Sequence, residues 1–313
     1  MDFSNYKFRA SQCHLLMTGN IGLSDKESAR LKYLVDRKMD AVIGDVKPLT
    51  PNMEDEVKEL RVKLKSKRLP KTMQSELRKI WRSERHKRNF SFTNKYVQKG
   101  LTQEDEAISM YMLYRNKVKG VMTLFTKNEE KLENDWFTGH PDLRAMLIEK
   151  KRIGFDTKCA WDLDTFPFAI DKLIDTYEWQ NQVYMDLDDA DEWITAACMV
   201  NISEHGLNNE KLKWLYALQN KDGTPDTDDH PNYLEYIKKC RECEIKMIFD
   251  YDRFIELYPY HNMEISREEW FGNEYDIPLE EKVVEKTSIR SKDKIDALKE
   301  RITIARKYLN DLK

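Results

Sequence analysis

Apolar positions recur at three- and four-residue spacing through the first third of the chain, the signature of helices that bury one stripe. In residues 24–40, SDKESARLKYLVDRKMD, Leu31, Leu34 and Val35 share a face, and Ser24 followed three positions later by Glu27 is a capping box. The same period predicts helices over 52–67 and 71–88, separated where Pro70 ends or restarts the run. Thr102 reads as the cap of a helix over 102–118 that places Ile108, Tyr111, Met112 and Arg115 near helical spacing. The pattern then changes. Residues 143–148 and 154–158 are short strand-like runs joined by the charged segment EKKR, which predicts a hairpin. A helix over 171–187, an apolar strand over 193–202 (WITAACMVNI), a helix over 233–249 and a charged terminal helix from Lys292 complete the order. Helices, a few strands, then helices predict a mixed α/β domain with helical elaboration. No fixed repeat or polar linker divides it, so one domain over 1–313 is expected, with a basic helical insertion at 52–98 and a mostly helical extension at 203–313.

Composition narrows the class. At 313 residues, 40% hydrophobic and 11% aromatic, the chain can bury a real core, and 10 Gly and 9 Pro leave little room for low-complexity sequence. No apolar stretch approaches the roughly 20 residues of a membrane helix, and MDFSNYKFRA lacks the layout of a secretion signal. The expectation is a soluble, cytoplasmic protein, in the host cytoplasm if viral. Five scattered cysteines, Cys13, Cys159, Cys198, Cys240 and Cys243, argue for free thiols in a reducing compartment.

The net charge of −3 hides an asymmetry. Residues 57–100 hold 15 basic and 3 acidic groups, whereas residues 101–313 hold 30 and 44. A dense basic block in an otherwise acidic chain is the footprint of phosphate binding, and Trp81, His86, Phe90, Phe92 and Tyr96 interleave with it. Arg78, Arg82, Arg85, Lys87, Arg88 and Lys99 are the candidate DNA contacts; the bland alternative is a solvated helical face.

The segment GHPDLRAMLIEKKRIGFDTK (139–158) carries the chemistry. In a hairpin, Asp142 at the start of one strand and Asp156 near the end of its partner can converge on one edge and share a hard divalent cation. Lys158 lies two residues beyond Asp156, so the strand period sends both side chains to one face. Phosphodiester hydrolysis needs a nucleophilic water, charge that offsets the transition state, and a group that orients or deprotonates the water. Two aspartates and a lysine supply those parts.

These residues resemble the PD-(D/E)XK nucleases: Pro141-Asp142, a gap of 13 residues, then Asp156-Thr157-Lys158. Lys99-Gly100-Leu101-Thr102-Gln103-Glu104 looks like the helix-borne glutamate of the exonuclease branch, and Gln180-Asn181-Gln182-Val183-Tyr184 like its QxxxY helix. The order is that of the lambda-exonuclease and RecB-nuclease-like recombination exonucleases, and FRASQCHLLMT is similar to their opening segment. The resemblance covers roughly residues 7–202. It implies an α/β restriction-endonuclease-like core, a small mixed sheet flanked by helices. It also implies Mg²⁺, with Mn²⁺ as substitute, held by Glu104, Asp142, Asp156 and the Thr157 backbone carbonyl, and catalytic roles for Lys158, Gln180 and Tyr184. Arg9 and Ser11 would contact a terminal phosphate. The substrate implied is linear double-stranded DNA, the partner a single-strand annealing protein, and in part of the family the active form is a homo-oligomer.

Other signals carry less. Cys240 and Cys243 form a lone C-x-x-C without further ligands for zinc or an iron–sulfur cluster. The run DLDDADE (186–192) reads as a solvated loop, and no Gly-rich phosphate loop exists. Two rivals stay open: a structure-specific or nicking endonuclease on the same core, and a non-catalytic DNA-binding or virion-associated protein.

Overall fold

The structure, a computed structural model, describes residues 1–19, 21–44, 46–65, 69–88, 94–166, 170–218, 231–257 and 277–312. Its elements run β1 (Phe8–Arg9), α1 (Cys13–Leu16), α2 (Asp25–Ile43), α3 (Pro51–Lys65), α4 (Lys71–His86) and α5 (Lys95–Lys117). Next come β2 (Leu132–Glu133), β3 (Phe137–Gly139), β4 (Leu143–Ile148), β5 (Lys151–Cys159), α6 (Ile170–Leu187) and β6 (Glu192–Cys198). The chain continues through α7 (Glu204–Ala217), α8 (Pro231–Met247), α9 (Tyr251–Leu257), β7 (Val283–Ile289) and α10 (Lys292–Asp311). Two units emerge: Met1–Phe90 with Glu133–Thr138 and Ser291–Lys313, and Ser91–Leu132 with Gly139–Arg290. Among the described residues no helix is long and apolar enough to cross a membrane.

The first unit is mainly helical. Ser24 accepts from the Glu27 amide while Glu27 accepts from the Ser24 amide, so the capping box starts α2 as the sequence indicates. Met73 and Leu77 bury one face of α4, and Ile295, Leu298, Ile302, Ala305 and Leu309 bury one face of α10. Chain ends meet here. The Phe3 amide donates to Asn310 (2.7 Å), and Arg306 donates to the Tyr6 carbonyl (3.0 Å). Phe8 and Arg9 pair in parallel with Phe137 and Thr138.

The second unit is built on a four-stranded sheet in the order β4-β5-β6-β7, antiparallel except for the β5–β6 pair that α6 connects. Glu149 and Lys150 turn the β4–β5 hairpin with positive φ (47° and 73°), a tight turn whose twist matches that of the strands. Pleating sends Phe155 and Ile194 to one face, where Ala107, Ile108 and Tyr111 of α5 close over them. Phe155 is fully buried against Tyr111 and Phe125, a contribution of about 2–3 kcal/mol. Gly154 has a steric cause: a Cβ there would lie 2.1 Å from the Trp193 ring. The opposite face belongs to α6, where Tyr184 packs on the buried Trp193. Asn181 donates to Thr195 (2.9 Å) and Ser288 (3.0 Å), and Gln182 to the Ile289 carbonyl (2.8 Å), so hydrogen bonds fix the helix's register on the sheet.

Several boundaries differ from expectation. α5 begins at Lys95, capped by Asn94, whose side chain accepts from the Val97 amide; Thr102 instead donates its hydroxyl to carbonyls one turn earlier. β6 stops at Cys198. Residues 203–313 are not only helical: β7 adds an edge strand to the sheet, and its mixed sequence VVEKTSI gave no clean alternation to read. All five cysteines are free, with Cys243 in the apolar cluster of Trp161, Met247 and Phe254.

Candidate functional site

β5 alternates Phe155 and Thr157 on one side with Asp156 and Lys158 on the other, the α6 side. Asp156 is 1% exposed, and its carboxylate touches the Lys158 ammonium. That contact lacks hydrogen-bond geometry. Both Asp156 oxygens are buried without an accepted hydrogen bond, a costly state for a carboxylate. Asp142, entering β4, accepts from the Thr157 amide (3.3 Å) and hydroxyl (3.5 Å), which brings its carboxylate to the same stretch of β5. Burial pushes the Asp156 carboxyl up to about 7; Lys158 opposes this and the Asp142 charge adds to it. Burial also works against the Lys158 charge, but Asp156 and Asp142 outweigh it and hold the ammonium above the ordinary lysine range.

On α6, Tyr177, Gln180 and Tyr184 fall three and four residues apart and share one face. The amide of Gln180 donates to the Tyr184 hydroxyl (2.9 Å), which donates in turn to the His140 carbonyl (3.4 Å), two residues before Asp142. Burial raises the Tyr184 phenol, so it stays protonated. The Tyr177 ring lies 5.5 Å from the Lys158 ammonium, a cation–π contact. Tyr177 was missed in the sequence, although its helical spacing from Gln180 and Tyr184 would have found it. Asn128 had no sequence signal at all: its side chain donates to the Pro141 carbonyl (2.9 Å) and its amide to the Asp142 carbonyl (2.8 Å).

Two expected site residues are placed differently. Glu104 pairs with Lys127 (3.0 Å), and among the described residues no three His, Cys, Asp or Glu side chains gather as a metal-holding group. The structure thus sets Glu104 against Lys127 and does not gather it with Asp142 and Asp156 into such a group. Lys99 is buried rather than presented to solvent. It is 4% exposed, donates to the carbonyls of Trp161 (3.0 Å) and Val200 (2.8 Å), and lies over the Phe249 ring, tying the start of α5 to the chain beyond β5 and β6. Burial lowers its pKa to about 8.

The remaining basic candidates belong to the first unit. Arg78, Arg82 and Arg85 of α4 are exposed, and with Lys71 their spacing of seven, four and three residues puts them on the side of the helix opposite Met73 and Leu77. Arg78 donates to the Tyr308 hydroxyl (3.1 Å) and Arg85 stacks on Trp81. Lys87, in the left-handed conformation, and Arg88 follow the helix, both exposed. Arg9 closes β1 and Ser11 lies in the 3-10 turn after it, also exposed. Phe90 and Phe92 lie outside the described residues.

The donor set bears on a metal. Two carboxylates on neighbouring strands, one with both oxygens buried and unsatisfied, are what a hard cation completes, and Mg²⁺ is commonly held by one or two carboxylates while keeping several waters. Asp142 and Asp156 fit such an ion.

No protein-family model matches the sequence, and no curated protein matches it. Solved structures do. A phage-related exonuclease from Haemophilus somnus 129PT is similar over 98% of this chain and 94% of its own, with a TM-score of 0.54 and 20% identity. An alkaline exonuclease from Laribacter hongkongensis overlaps more loosely, with a TM-score of 0.43 and 8% identity over 98% and 89% of the two chains. The first likeness establishes a shared fold, the mixed α/β arrangement of small sheets flanked by helices.

Proposed function

We propose that the chain is a metal-dependent deoxyribonuclease that works from the ends of linear double-stranded DNA. One observation carries the reading: a buried Asp156 with unsatisfied oxygens, pressed against Lys158 and next to Asp142, on the sheet face where α6 presents Gln180 and Tyr184. Full-length similarity in fold to a protein described as a phage-related exonuclease supports it. Asp142, Asp156 and the Thr157 carbonyl would hold Mg²⁺ or Mn²⁺, which supplies a Lewis acid that polarises the phosphoryl oxygen and offsets transition-state charge.

Hydrolysis joins a water oxygen to phosphorus and releases the sugar oxygen, with the water's proton passing to solvent and the leaving oxygen regaining one. Lys158 is held protonated, so its role is to donate to the charge that grows on the phosphate rather than to take the water's proton. Tyr184 and Gln180 would orient groups on the same face of the sheet, and Tyr184 steadies the backbone before Asp142. The exposed arginines of α4 would follow the DNA backbone, because guanidinium groups pair well with phosphate. Digestion of one strand would leave single strands for an annealing partner, as in phage-type recombination.

Incubation of the protein with linear and with covalently closed circular DNA, in Mg²⁺ or in EDTA, tests the reading. Loss of linear DNA alone, only with metal, is the expected result. Cutting of circles would assign an endonuclease, and no cutting in Mg²⁺ would leave a DNA-binding protein.

A further inference from the structure

The acidic run after α6 is not a solvated loop throughout. The Asp188 side chain is 1% exposed, and donors converge on it from two strands. Arg144 of β4 approaches with Nη2 at 2.7 Å and Nε at 3.0 Å, and Arg152 of β5 with Nη2 at 3.3 Å. The shortest contact comes from backbone: the Ala145 amide donates to Asp188 Oδ2 at 2.6 Å.

Ala145 lies within the irregularity of the hairpin, where the register of β4 on β5 shifts between Leu143 and Met146. A bulge leaves an amide without its ladder partner and sets the direction in which the strand continues. Asp188 supplies that partner. The bulge begins after Leu143, one residue beyond Asp142, so its geometry bears on where the Asp142 carboxylate meets β5. Asp188 also follows α6 directly, and its own amide donates to the Tyr184 carbonyl (2.9 Å). One side chain thus ties the helix carrying Gln180 and Tyr184 to the strand carrying Asp142, while Asn128 holds the Pro141 and Asp142 carbonyls from the other side.

We infer that Asp188 is a positioning residue: by accepting the Ala145 amide in the β4 bulge it fixes Asp142 relative to Asp156 and Lys158, and so sets the affinity of the site for a divalent cation. The inference rests on the nuclease reading for its consequence and on the hairpin geometry for its cause, and the two are tested separately.

The first arm is deuterium exchange of the 140–147 backbone in metal-free protein, and the second is Mn²⁺ binding by calorimetry without DNA, each on the full chain well below its unfolding temperature. Asp188→Ala removes the acceptor. Asp188→Glu keeps the charge and the arginine pairs but displaces the oxygens by one methylene, which guards against an alanine variant that does not fold. Both are expected to speed exchange at Ala145 and to weaken Mn²⁺ binding by about 10- to 100-fold, the range for residues that orient metal ligands. A residue that only neutralised Arg144 and Arg152 would be rescued by glutamate. Wild-type exchange and wild-type Mn²⁺ affinity in a folded Asp188→Glu or Asp188→Ala protein would overturn the inference. Failure of the wild-type protein itself to bind Mn²⁺ would instead remove the nuclease reading, and the exchange arm would still decide whether Asp188 holds the bulge.

Discussion

Replacing Lys158 by methionine separates the two demands placed on the α6 face of β5. Methionine keeps the length and apolar stem of the side chain but removes the charge that touches Asp156 and lies under the Tyr177 ring. For catalysis, loss of one preorganised donor to transition-state charge lowers kcat by about 10²- to 10³-fold. For stability, removing one member of a buried pair leaves the other uncompensated, a loss of about 3–5 kcal/mol while Asp156 stays ionised. Asp156 can escape that cost by protonation. Its carboxyl is already near 7 with Lys158 present and rises further without it, so the neutral form dominates at pH 6. The stability gap between wild type and K158M should therefore be small at pH 6 and widen as pH rises toward 8, as for any carboxyl whose folded pKa is raised. Metal affinity should move the other way: the ammonium and a divalent cation compete for the same carboxylates, so K158M at pH 8 binds Mn²⁺ at least as tightly as wild type. Single-turnover cleavage of linear duplex with enzyme in excess, urea unfolding at pH 6 and 8, and Mn²⁺ calorimetry read the three effects. Cleavage by K158M within threefold of wild type at saturating Mn²⁺ would refute the assignment of Lys158 to the transition state.

Further outcomes follow from the same geometry. Asp142→Ala should reduce cleavage to the level seen in EDTA while leaving DNA affinity, measured in EDTA by fluorescence anisotropy, within threefold of wild type; intact cleavage would mean that this carboxylate holds nothing essential. The triple variant Arg78→Ala, Arg82→Ala, Arg85→Ala should flatten the dependence of log K on log salt by about 0.9 for each lost phosphate contact, and an unchanged slope would return α4 to the status of a solvated face. Lys99 has a folded pKa of about 8 against an ordinary 10.5, so the unfolded chain holds more protons between those values and stability from this group rises with pH across that window. Relative to Lys99→Met, wild type should gain about 3 kcal/mol between pH 7 and pH 10.5 in urea titrations; a flat difference would show that burial does not perturb this amine.

Much of the fold could be read in advance where one physical signal dominated. The capping box at Ser24 and Glu27 and the apolar stripe of α10 are local patterns, and the structure keeps both. The start of α5 was read late because Thr102 has the right chemistry for a cap, yet the helix is already running when it reaches that residue; Asn94, eight residues earlier, gives the first free amides an acceptor without a glutamate three positions behind it. β7 was missed for another reason. Among the described residues it pairs with β6 only, and Val283, Glu285 and Thr287 of one face alternate weakly with their neighbours, so nothing local marks it as sheet until β6 is there to bond it.

The site was legible to the extent that chemistry follows strand and helix period. Asp156 and Lys158 share a face because they are two residues apart on β5, and Gln180 faces Tyr184 because they are four apart on α6. Glu104 and Lys99 depended instead on what stands opposite them, which spacing cannot give: a surface lysine claims the first, and two carbonyls beyond strand ends claim the second. The same holds for the groups that steady Asp142. Tyr184, Asn128 and Asp188 reach the 140–145 backbone from α6, from the loop before β2 and from the turn after α6, and each acts on a backbone atom rather than on a side chain. A sequence motif records only side chains that must keep their identity for chemistry. Here main-chain hydrogen bonds to residues scattered over 60 positions hold the backbone around Asp142, so the motif marks where the carboxylates are and leaves unwritten what fixes the strand that carries them.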